Sequence, residues 1–251
     1  MSPSDLLLLL CAPAVGSFAG VLVDRLPRGE DVVRGRSACR SCGITLGSRE
    51  LVPIWSFARS GGRCRSCGAT IPPAWLYLEL AALGVGVVAL AVTAGQGAGG
   101  AWLVAGILWT LMALAATDLA WFRLPDLLTM SLVALALPAA TLPGGPGLSD
   151  ALVGGAVGAG AFWALGAGYR AVRGRTGLGA GDIKLMAGIG ALVGPWALPQ
   201  TVLLAALAGL AGAAWDVRRR GRRALRAARP LPFGATLAVA AGVVWCLALT
   251  R

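Results

Sequence analysis

Apolar runs recur along this chain, and several reach about 18 or more residues with few or no charges, the length a helix needs to cross a hydrocarbon core of roughly 30 Å. A backbone in lipid has to satisfy its own N–H and C=O groups, so runs of this kind become helices. The composition agrees. Hydrophobic residues make up 57% of the 251 and charged residues only 13%, against about 25% charged in an ordinary soluble domain, and mean hydropathy is +0.75. The chain therefore reads as an all-α polytopic membrane protein. Apolar segments between polar or Gly/Pro punctuation predict about eight transmembrane helices, near 5–23, 74–94, 101–120, 125–142, 150–169, 182–198, 200–216 and 231–250. The first 23 residues lack a basic n-region, so 5–23 is read as an uncleaved span.

The net charge of +11 acquires meaning from position. Arg25 to Arg65 fall between the first two spans and Arg123 between the third and fourth. Arg170, Arg173, Arg175 and Lys184 surround the connection between the fifth and sixth, and Arg218 to Arg229 lie between the last two. Of the 22 Lys and Arg residues, all but Arg251 therefore occupy one side. The opposite connections, GQGAGG at 95–100 and LPGGPGLSD at 142–150, carry no basic residue. Short cytoplasmic loops hold the excess of positive charge, which predicts a multi-pass plasma-membrane protein with both termini outside. The run RRRGRRALRAAR at 218–229 is then a topology signal or an anionic-lipid contact, and not a nucleic-acid site.

The only sizeable water-exposed segment is 24–73, too short for a large core of its own. It carries two C-x-x-C pairs, Cys39/Cys42 and Cys64/Cys67, each followed directly by glycine, Gly43 and Gly68. Two such knuckles complete a tetrahedral site with four thiolates and no open position. In a reducing cytoplasm structural zinc is favoured over two disulfides. Cys11 and Cys246 lie inside apolar spans, where a lone cysteine behaves as a small hydrophobe.

The chain has no histidine, which removes Ser-His-Asp and Cys-His catalysis together with histidine-ligated metal sites. Carboxylates are left to carry chemistry, and ionisable residues in spans mark function by default. Three stand out: Asp118 at the end of the third span, Asp126 at the start of the fourth, and Asp182 opening the sixth in GLGAGDIKLMAG. Two carboxylates held close share a proton, so one serves as base and the other as acid. Such a pair can activate water against a peptide carbonyl, and the glycines before Asp182 would let a substrate backbone approach. Glu30, Asp31 and Glu50 in the water-exposed segment are candidate contacts for a basic substrate segment.

In order along the chain, VGSFAGVLVDRLPRGE at 15–30, the four-cysteine stretch ending GGRCRSCGATIPPAWLYLEL, TDLAWFRLPDLLT at 117–129, GAGDIKLMAGIGALVG at 179–194 and PFGATLAVAAG at 232–242 resemble the bacterial prepilin peptidase family. The resemblance implies an intramembrane aspartyl protease with Asp118 and Asp182 as the catalytic pair, supported by Asp126, Gly179, Gly181 and Lys184. It implies zinc on Cys39, Cys42, Cys64 and Cys67, and type IV prepilins or pseudopilins as substrates, cut at the cytoplasmic face. Many relatives also methylate the new N-terminus with S-adenosylmethionine; no glycine fingerprint after a strand is visible here, so that expectation rests on resemblance alone. The domain reading is 1–100 for the first span, zinc module, second span and methylation region, and 101–251 for the peptidase core. The competing classes are a proton or cation transporter, which places carboxylates near the midplane, and a non-catalytic adaptor, which tolerates loss of either aspartate.

Overall fold

The computed structural model describes residues 2–94, 98–175, 177–220 and 232–250. Arg222, Arg223, Arg226 and Arg229 of the basic run, Arg251 and residues 95–97 of the GQGAGG connection lie outside the described residues. The chain divides into two compact units, Met1–Ala105 and Gly106–Arg251. Among the described residues there is helix and no named strand; the only β pairing consists of two isolated bridges, Ala38 with Thr45 and Arg63 with Thr70.

The first unit opens with α1, Pro3–Arg25. Ser2 caps it: its hydroxyl accepts the Asp5 N–H while the Asp5 carboxylate accepts the Ser2 N–H, and Pro3 needs no donor in the first turn. The segment to residue 73 contains the short α2, Trp55–Ser60, and is followed by α3, Ala74–Val92. α1 and α3 meet through small residues: Ala12, Gly16, Ala19 and Gly20 on one, Ala82, Gly86 and Ala89 on the other. A Cβ on Gly16 would lie 2.6 Å from the Glu79 Cα, so only glycine permits this approach. Leu6, Leu7, Leu10 and Phe18 point outward and exposed. Small residues inside and large aliphatics outside is the pattern of helices solvated by lipid, where close backbone packing replaces the hydrophobic effect.

α4, Ala98–Trp121, crosses into the second unit, which continues with α5 (Asp126–Ala139), α6 (Leu148–Arg173), α7 (Ala180–Arg220) and α8 (Phe233–Leu249). Two spans divided near residue 199 are expected from the sequence where the structure has one run of 41 residues, broken at Gly194. Pro195 disfavours helical geometry at the residue before it while suiting the first turn of a new helix, and Gly194 takes up φ 75, ψ 170 without a Cβ penalty. The chain reverses there. The 180–193 arm runs antiparallel to α6, where a Cβ on Gly154 would collide with the Gly190 carbonyl and one on Gly158 with the Met186 carbonyl. Gly194 lies beside Pro146 and Asp150, next to the start of α6, and Gly209 on the returning arm lies beside Thr236 in the first turn of α8. Among the described residues five helices, α1, α3, α4, α6 and α7, are long and apolar enough to cross a membrane. α5 and α8 are apolar but shorter, 14 and 17 residues, or about 21 and 26 Å at 1.5 Å per residue.

Candidate active site and metal centre

Three helix ends converge in the second unit. α4 stops because Phe122 turns to φ 52, a left-handed conformation costly for a residue with a Cβ, and its N–H donates to the Asp118 carbonyl at 2.9 Å. This ends the helix one turn after Asp118, whose side chain is 6% exposed. Asp118 Oδ2 accepts the Ala235 N–H at 2.8 Å. That N–H belongs to the first turn of α8, where unpaired donors and the helix dipole favour a negative charge. A Cβ on Gly234 would sit 3.1 Å from Asp118 Oδ2, so glycine there keeps the carboxylate seated on the α8 terminus.

Asp182 stands in the first turn of α7, half-buried. Its backbone N–H donates to the Gly179 carbonyl at 3.1 Å, and the glycine before it, Gly181, packs on Leu124, the residue that also meets Gly234 beside Asp118. Leu124, from the turn after α4, wedges between the two helix starts: a Cβ on Gly181 would lie 3.0 Å from its Cβ, and one on Gly234 3.0 Å from its Cδ1. Two glycines therefore allow one leucine to hold the α7 and α8 termini against the Asp118 turn. Asp126 opens α5 and pairs with Lys184, Oδ1 to Nζ 2.7 Å, with side chains 70% and 43% exposed. A pair this exposed is worth about 0–1 kcal/mol; it links the first turn of α5 to α7.

The four cysteines between α1 and α3 form one cluster, with all Sγ atoms within 4.8 Å of one another. Cys39 to Cys67 and Cys42 to Cys64 are both 3.9 Å. A disulfide needs about 2.05 Å, whereas four thiolates at about 2.3 Å from a tetrahedral metal stand about 3.8 Å apart. The fit is to a metal. Two copies of the same pentapeptide, CRSCG at 39–43 and 64–68, build the two halves. In each, the glycine N–H returns to the first cysteine's carbonyl, at 2.9 and 3.0 Å, with φ of 72 at Gly43 and 69 at Gly68. The first cysteine of each knuckle also receives backbone N–H groups on sulfur. Those of Cys42 and Ser41 pull the Cys39 thiol down to about 6, while burial and the neighbouring cysteines push Cys67 up to about 11.

The carboxylates of this segment are engaged internally. Arg40 bonds Asp24 and Glu30 together, Asp31 accepts the Val33 and Arg34 N–H groups, and Glu50 pairs with Arg65 and accepts the Gly47 N–H. Arg25, at the end of α1, donates to the carbonyls of Asp31, Gly35 and Arg36 and ties the segment to its helix.

Glu79 is a buried carboxylate that sequence reasoning passes over. It is 7% exposed on α3, and its Oε2 accepts the Ile54 N–H at 2.6 Å. Ile54 holds φ 62, ψ −54, and the Trp55 N–H returns to the Pro53 carbonyl at 2.6 Å. This is a γ-turn on a β-branched residue, strained by on the order of 1–3 kcal/mol and kept in place by its surroundings. The signal was present: Glu79 is a carboxylate inside an apolar run, the same criterion that singles out Asp118 and Asp182.

Comparison with known proteins gives matches to both units. Residues 10–93 match the Bacterial Peptidase A24 N-terminal domain and residues 105–214 the Type IV leader peptidase family. The chain is 38% identical over 221 residues to a prepilin leader peptidase/N-methyltransferase of Burkholderia pseudomallei, covering 86% of this chain and 68% of that protein. It is 33% identical over 274 residues to the protein of the same name from Aeromonas salmonicida, covering 98% and 92%, and 32% identical over 269 residues to that of Pseudomonas aeruginosa, covering 97% and 91%. No solved structure matches. With both halves matched in order, and with relatives similar over most of their length, the chain belongs to the type IV leader peptidase family.

Proposed function

We propose that this protein is a membrane-embedded aspartyl endopeptidase that removes the leader from type IV prepilins or pseudopilins at the cytoplasmic face and then N-methylates the new N-terminus. The observation that carries the reading is that the helix ends bearing Asp118 and Asp182 meet around Leu124, where α4, α7 and α8 converge. In the proposed dyad the two carboxylates do not both ionise cheaply, so they hold one proton between them. The ionised partner draws a proton from water as the water oxygen attacks the scissile carbonyl. The protonated partner donates to the carbonyl oxygen, and the tetrahedral adduct collapses as the leaving amine takes a proton from the dyad. The Asp118 contact with Ala235 fixes one carboxylate, and the absence of a side chain at Gly179, beside the Asp182 carboxylate, leaves room for an extended substrate backbone.

Orientation follows from the basic residues: the 24–73 segment and the dyad face the cytoplasm and both termini face outward, in contact with membrane lipid and not with nucleic acid. Cys39, Cys42, Cys64 and Cys67 hold a structural zinc ion that staples the 24–73 segment. When bound, S-adenosylmethionine supplies a methyl group to the new amine, leaving a neutral thioether and releasing a proton. Residues 1–100 form the methylating part and 101–251 the peptidase core. The test is co-expression with a prepilin, reading the size of the product and the mass of its N-terminus. A shortened, methylated product supports both activities; an uncut precursor in the presence of inserted, intact enzyme refutes the peptidase.

A further inference from the structure

The first unit contains a cavity of about 710 Å³ between the α1/α3 pair and the cysteine module. That lies within the roughly 300–1,000 Å³ that small-molecule sites occupy. Every residue lining it belongs to the first unit, whereas Asp118 and Asp182 belong to the second. The peptidase chemistry makes no use of it.

Its chemistry is specific. Ser17 and Gly20 of α1, Ser56 and Phe57 of α2, and Trp75 and Glu79 of α3 supply hydroxyls, two aromatic rings and a buried carboxylate. Of the other acids of the wall, Asp24 and Glu30 pair with Arg40 and Glu50 with Arg65, while Asp31 is exposed and accepts the Val33 and Arg34 N–H groups. Glu79 is bonded to the Ile54 amide, and among the described residues no basic side chain forms an ion pair with it. A carboxylate buried to this degree calls for a cation as well as an amide, and aromatic faces favour the same charge. The strained turn at Ile54, held by the same carboxylate, sets where Trp55, Ser56 and Phe57 begin, so Glu79 also shapes the wall.

We propose that this cavity is the methyl-donor site, with Glu79 facing the sulfonium charge of S-adenosylmethionine; the proposal rests on the methylation reading above. A carboxylate opposite a sulfonium distinguishes the charged donor from its neutral product, S-adenosylhomocysteine. Filling the cavity excludes both.

The test is equilibrium binding of S-adenosylmethionine and of S-adenosylhomocysteine to the full-length, detergent-solubilised, zinc-loaded protein. Glu79→Gln keeps an oxygen for the Ile54 N–H and removes the charge. It is expected to weaken donor binding about tenfold, the scale of one charge-assisted contact, and to leave product binding within about twofold. Ser17→Phe is expected to weaken both ligands together, with prepilin cleavage and zinc content unchanged in either variant. If the unaltered protein binds the donor and both variants bind it equally well, the donor sits elsewhere and the assignment is wrong while methylation stands. If the unaltered protein neither binds the donor nor transfers a methyl group, the methylation reading fails and the assignment with it.

Discussion

As proposed, Asp118 has two separable duties, and two substitutions distinguish them. Its Oδ2 accepts the Ala235 N–H at 2.8 Å, and in the proposed dyad it shares a proton with Asp182. Asp118→Asn keeps an oxygen acceptor for Ala235 but cannot share a proton with Asp182 as a carboxylate does. Losing one partner of an acid–base pair costs about 10²–10⁴ in rate, or roughly 2.7–5.5 kcal/mol of barrier at 1.36 kcal/mol per decade. Asp118→Ala loses that and also strands a buried N–H at the start of α8, which costs about 1–3 kcal/mol of stability. Asp182→Asn should match Asp118→Asn in cleavage, and the double Asn variant should be little worse than either, because groups that act as a unit are strongly non-additive. The assay is prepilin cleavage in membranes alongside thermal unfolding of the solubilised protein. Asp118→Asn should unfold close to the unaltered protein and Asp118→Ala distinctly lower, with both inactive. Near-normal cleavage by Asp118→Asn would refute the dyad, and equal stability of Asn and Ala at 118 would refute the α8 anchor.

Cys64 is the most buried of the quartet, 8% exposed, so Cys64→Ser should abolish zinc on metal analysis and open 24–73 to proteolysis; retained metal would exclude it as a ligand. Gly190→Leu drives a side chain into the Gly154 backbone, and overpacking of this kind should destabilise the second unit by about 1–3 kcal/mol or more, read as a lower unfolding midpoint. The exposed Asp126–Lys184 pair is worth about 0–1 kcal/mol, so Asp126→Asn should leave cleavage within a few-fold; a dead Asp126→Asn would transfer the catalytic role to Asp126. Reporter fusions at Gly97 and Gly145 should read external and those at Gly61 and Gly221 cytoplasmic, and an external Gly61 would overturn the proposed orientation.

Much of this protein was legible because the signals are local. The length of an apolar run is a property of consecutive residues, so α1, α3, α4 and α6 fall where the composition puts them. The cysteine cluster was legible too, since a Cys-x-x-Cys-Gly knuckle closes on itself within five residues and two of them need only meet. The division of α7 was half legible: Pro195 and Pro199 both offer a break, and the chain turns at Gly194, where it can adopt φ 75 against Pro146 and Asp150 at the start of α6. Contacts between distant residues lay beyond the sequence. It marked Asp118 and Asp182 as carboxylates at helix ends, but the Ala235 N–H that seats Asp118 and the Leu124 wedge under Gly181 and Gly234 exist only once α4, α7 and α8 converge. Glu79 shows the same limit from the other side: its charge was visible in an apolar run, but its partner is an amide 25 residues earlier in the chain, held in a turn that no local preference of isoleucine would choose. Helix formation is decided by neighbours along the chain, whereas the placement of a buried charge is decided by whatever packing brings to it.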